Sequence, residues 1–165
     1  MAGERLDAEW VRSWWEQADA ALTELMRSFL PAHGFPPGQN SVTLATDDSH
    51  RATDALVDLT PIPSDLTTLY WVISEASLPD VDSGYFVHSP AKTAEDFRAY
   101  GPAPIAGEWI ALVFAGDGGG HLFAIGDSGR VWKSTTASWF DDFELAAASL
   151  QEFLEQLGRR IANQP

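Results

Sequence analysis

Apolar residues recur at three- and four-residue spacing from Trp10 through Val11, Trp14, Ala18, Ala21, Leu22 and Leu25 to Phe29. The spacing puts them on one face and predicts a helix, with Asp7 as its cap and Pro31 as its end. The stretch PAHGFPPGQNS is dense in Pro and Gly and reads as a loop, followed by a short strand over 41–45. Pro61 and Pro63 mark the entry to a second helix at about Ser64, where Leu66, Leu69, Tyr70 and Ile73 form the stripe. A strand over 85–88 and a short helix over 93–100 with Thr93 as cap come next. The clearest β pattern follows: 109–114, 121–125 and 130–133 are β-prone runs separated by GDGGG and GDSG turns. They predict an antiparallel meander over about 109–133. A closing helix is expected from about 144 to 161, with Leu145, Ala148, Leu150, Phe153, Leu154 and Leu157 on its apolar side and Gly158 near its end. The pattern therefore predicts one α+β domain over 1–165, its meander packed against N-terminal, middle and C-terminal helices.

Composition narrows the function. The chain of 165 residues is 45% hydrophobic, enough for one continuous core. No run reaches the roughly 20 apolar residues that cross a bilayer, and the N-terminus lacks a secretory pattern. With no cysteine there is no disulfide or thiolate chemistry, so a cytoplasmic location is expected. The net charge of −14 disfavours nucleic acid and anionic lipid and favours basic partners. It is concentrated: between Asp47 and Pro90 eight acidic residues face a single basic one, Arg51.

Three chemical motifs fall to plainer readings. Gly126-Asp127-Ser128-Gly129 matches a serine-protease tetrapeptide, but it lies between two short β runs in a chain too short for the double barrel that assembles the triad. Gly116–Gly120 resembles a phosphate loop, yet a strand and not a helix follows it. Asp117, His121 and His88 lack metal-ligand spacing, so no metal or other cofactor is expected. The adjacent carboxylates carry no catalytic pattern, and no enzymatic activity is expected. Trp139, Phe140, Asp141 and Asp142 offer a different chemistry, two large aromatics beside two acids in a loop, which is the make-up either of an interface anchor with a charged rim or of a loop that folds its aromatics over the core edge. Asp47, Asp48 and Asp54, read as lying on the loop before the second helix, form a second candidate contact. The adjacent Trp14 and Trp15 cannot both face one core stripe, so one is expected to be exposed or to cover another element.

The run IALVFAGDGGGHLFAIGDSGRVWKSTT and the ending LAAASLQEFLEQL resemble the SUKH superfamily, in its Smi/Knr-like branch. PIPSDLTTLY looks like that family's "LP.dl..lY" helix, and Gly84-Tyr85-Phe86 sits where its next strand is expected. The resemblance covers about residues 61–157. It implies a curved, mainly antiparallel sheet packed on helices, and a non-catalytic role: bacterial members are immunity proteins that bind and block a cognate toxin, and the acidic charge of this chain fits a basic nuclease domain as that toxin. Two alternatives stand beside it, a regulatory or scaffold module for a host protein, and a small-ligand binder or enzyme with its site between the sheet and the 31–51 loop.

Overall fold

A computed structural model describes residues 5–165. The first helix, α1, spans Ala8–His33, and Asp7 caps it by accepting the Glu9 N–H. It buries Val11, Trp14, Ala18, Leu22, Leu25 and Phe29 and runs on through Pro31, which was expected to end it. Proline that late removes one N–H, whose partner would be the carbonyl of exposed Arg27, where water can substitute. Gly34 then closes the helix at φ 80, its N–H donating to the Leu30 carbonyl.

Strand β1 (Ser41–Leu44) is followed by an element missed by the pattern, helix α2 (Asp47–Leu59). Thr46 and Ser49 form a reciprocal capping box, and Asp47 and Asp48 occupy the first turn, where a carboxylate meets the positive end of the helix dipole. Asp47, Asp48 and Asp54 are therefore helical and not on a loop. The helix escaped detection because only Thr53 and Leu56 are fully buried, too narrow a stripe to register as a period.

Helix α3 (Ser64–Val72) runs directly into β2 (Ile73–Leu78), so Ile73 belongs to the strand and not to the helical stripe. After β3 (Tyr85–Val87), α4 (Pro90–Tyr100) is capped by Ser89, with Pro90 in its first turn; Thr93 is not the cap. Thr93 is buried instead, its hydroxyl 2.7 Å from the Tyr70 hydroxyl, which also donates to the His88 carbonyl at 2.8 Å. Burial pushes the Tyr70 phenol well above its ordinary pKa.

The meander is present as β4 (Ala111–Asp117), β5 (Leu122–Gly126) and β6 (Val131–Ser134). A further strand, β7 (Phe143–Ala147), takes residues expected in the closing helix, which begins only at Leu150 as α5 (Leu150–Ala162) with Ser149 as its cap. Leu and Ala favour helix, but pairing from Ser134↔Phe143 to Val131↔Ala147 overrides that preference. Leu145 is consequently exposed rather than on a buried helical face.

All seven strands form one open antiparallel sheet in chain order, β1 to β7. Alternation along β4 divides the interior: Leu112 and Phe114 join the main core with α1, α3 and α5, whereas Ala111 and Val113 join a smaller cluster with Ala124, closed by Ala103 and Ile105. Trp14 stays in the buried stripe, and Trp15 leaves it, as expected, to cover β1. Their indole N–H groups donate to the Leu154 and Val42 carbonyls, each at 2.7 Å, tying α1 to α5 and to edge strand β1. Gly158 lies inside α5, where a Cβ would stand 3.1 Å from Trp14 Nε1.

Candidate functional site

The two glycine-rich turns are built from their own acids. Asp117 ends β4, and its carboxylate accepts from the N–H groups of Gly119 (3.0 Å) and His121 (2.9 Å). His121 Nδ1 and Lys133 Nζ lie 3.1 and 3.7 Å from the same carboxylate. The amides that a phosphate would need at 119 and 121 are thus committed to Asp117. In the next turn Asp127 Oδ1 accepts from Trp109 N (2.6 Å) and Ile110 N (3.0 Å). These backbone donors, that of Ile110 foremost, hold the Asp127 carboxyl below its usual range. The Ser128 hydroxyl donates to Glu108, so this serine faces a carboxylate where a protease serine faces an imidazole base.

The acids of the second candidate contact fall on one helix. Asp47, Asp48 and Asp54 project from α2 together with Asp58, all exposed; Asp48 pairs with Arg51. Asp54 is one turn from His50 and from Val57, which places it on the side of α2 that faces α3. There the His50 ring stacks on Trp71, with centroids 3.9 Å apart and planes 13° apart, and His50 Nε2 lies 2.8 Å from the Trp71 carbonyl. Trp71 remains 54% exposed and Val57 47%. They border a groove of about 630 Å³ between α2 and α3, with Thr60, Pro61, Ile62, Thr67 and Thr68 on its walls. The sequence reading passed over Trp71 and Val57. The signal for Trp71 was its place directly after the buried stripe Leu66, Leu69, Tyr70, about 100° round the helix from it.

The other candidate contact divides. Residues 135–142 connect β6 to β7. Trp139 is half-buried, packed on the smaller core and on Tyr100 with ring centroids 5.1 Å apart. Phe140 is 63% exposed. Asp141 accepts from the Thr136 hydroxyl at 2.6 Å, and the Asp142 carbonyl accepts from Thr135 N and Oγ1, so both acids help shape the loop. Among the described residues no hydrogen bond, ion pair or ring contact joins this loop to α2.

One histidine is held neutral. His88 lies at the β3–α4 junction with Nδ1 buried and without a hydrogen-bond partner, 3.7 Å from Asp96. Burial first, then the charge of Lys92, pushes its pKa down to about 4, against a smaller opposing pull from Asp96. The unfolded imidazole takes up a proton that the folded one refuses, so this contribution is complete above pH 6.5 and is lost as pH falls toward 4. Urea unfolding of wild type and His88→Gln at pH 7 and pH 4.5 should show their stability gap shifting by about 2 kcal/mol in the variant's favour at the lower pH. Parallel profiles would remove His88 from the acid limb.

Among the described residues no helix is long and apolar enough to cross a membrane, and no group of three or more His, Asp or Glu is placed to hold a metal ion. The chain matches no model of a known protein family, and no curated protein matches it significantly.

Proposed function

We propose that this chain is a non-catalytic immunity protein of the SUKH type, which binds a basic toxin domain in the cytoplasm and blocks it. One observation carries the reading: the acidic surplus is left unneutralised at the surface. Among the described residues only Glu24, Asp48, Asp82, Asp96 and Asp117 have a Lys, Arg or His nitrogen within 4.0 Å. Surface charge of one sign opposes nucleic acid and anionic lipid, and it speeds encounter with a cationic protein. A basic nuclease domain presents such a surface, because its own cleft is built to neutralise phosphates. The glycine turns, whose 119 and 121 amides are taken by Asp117, identify a scaffold and supply no chemistry.

Co-expression tests the proposal. With the product of the gene immediately upstream, the chain should restore growth and co-purify as a stoichiometric complex. Unrescued growth without a complex defeats it.

A further inference from the structure

We infer that the groove between α2 and α3 is where the partner docks, and that it takes a basic segment carrying an apolar anchor side chain. This rests on the protein-binding reading above and adds to it a surface and a partner chemistry. The groove combines apolar walls with acidic neighbours on α2. Its walls are largely apolar, with Val57 and Trp71 exposed and Ile62 half-open. Trp71 is an anchor of the kind that dominates interfaces, and its stacking on His50 fixes the ring before any partner arrives.

Charge decides the occupant. No lysine or arginine lines the groove. On α2 the exposed Asp54 stands one turn before the lining residue Val57, and the exposed Asp58 follows it directly. The only cation of that helix, Arg51, is already tied to Asp48. A second copy would bring the same acids against these, and a nucleic acid or lipid headgroup would bring phosphates. A basic segment gains on both counts: its apolar anchor covers Trp71 and Val57, and its cations meet Asp54 and Asp58 without displacing an existing partner.

The test uses the full ¹⁵N-labelled chain and a synthetic amphipathic peptide of leucine and lysine, about four helical turns long. Titration should shift the Trp71 indole N–H and the amides of 57–68. Trp71→Ala combined with Val57→Ser should weaken binding at least ~10-fold, a loss of about 1.4 kcal/mol, while Phe140→Ala leaves it unchanged. A lysine-only peptide of equal length should bind at least ~10-fold more weakly, because it lacks the anchor. Trp71 and Val57 are exposed, so circular dichroism should show both variants folded. Shifts centred on 135–142, equal binding of the two peptides, or no binding would each overturn the inference. So would a dimer in sedimentation that Trp71→Ala dissociates, since the groove would then hold a second copy. Failure of the co-expression experiment, by contrast, removes the toxin partner and leaves the peptide result standing.

Discussion

Replacing Gly118 with alanine is expected to cost the fold about 3 kcal/mol or more, the upper end of what overpacking does. Gly118 follows the end of β4, and its N–H donates to the Gly84 carbonyl at 3.0 Å. A Cβ built there would lie 1.7 Å from the Ser83 carbonyl oxygen and 2.9 Å from its carbon. Those are backbone atoms of the segment leading into β3, so no side chain can swing aside. Either the turn lifts from that segment or the β3–β4 pairing, Tyr85↔Asp117 through Val87↔Ala115, shifts with it. Gly129→Ala is the control: its φ of 89 is strained for alanine, but nothing lies within 4 Å of the new Cβ. It should cost only about 1–2 kcal/mol. Urea unfolding separates the two, and a loss at Gly118 no greater than at Gly129 would mean the Ser83 contact does not form.

The second large effect lies in the main core. Phe114 is fully buried between the sheet and α5, edge-on to Phe153 with ring centroids 5.6 Å apart and planes at 71°. Phe114→Ala removes that contact and leaves a cavity among neighbours fixed on two elements, at a cost of about 3–5 kcal/mol. Leu145→Ala should change stability by less than about 0.5 kcal/mol, since Leu145 is 55% exposed on β7. The pair tests an assignment as well as an energy. Were residues 144–149 the first turns of the closing helix, Leu145 would face the core and its loss would cost as much as other buried leucines.

The same residues show what could be read in advance. The meander was legible because its strands are short β-prone apolar runs and its turns are spelled by glycine, and α1 was legible because six buried residues share one face. Helix α2 was hidden by its thin buried stripe; its capping box, Thr46 with Ser49, was the available signal and uses serine where glutamate is usual. Strand β7 was hidden because FELAA prefers helix and becomes a strand only by pairing with β6, a contact that no local window contains. At the candidate site, the acids Asp47, Asp48 and Asp54 were singled out from charge alone, but the place of Asp54 on the side of Trp71 and Val57 needed the packing of α2 on α3. The pair Trp139 and Phe140 was read as an exposed anchor or as aromatics folded over the core edge; Trp139 packs on the smaller core and Tyr100, and Phe140 is the outward ring.

The central claim, that unneutralised surface carboxylates recruit a basic protein, is tested most directly by the salt dependence of the complex. Titration calorimetry with the upstream gene product at about 50 and 300 mM salt spans Debye lengths from roughly 14 to 6 Å. The account predicts that Kd weakens at least ~10-fold across that range, chiefly through slower association. An affinity indifferent to salt would contradict it, because the charge would then take no part in binding.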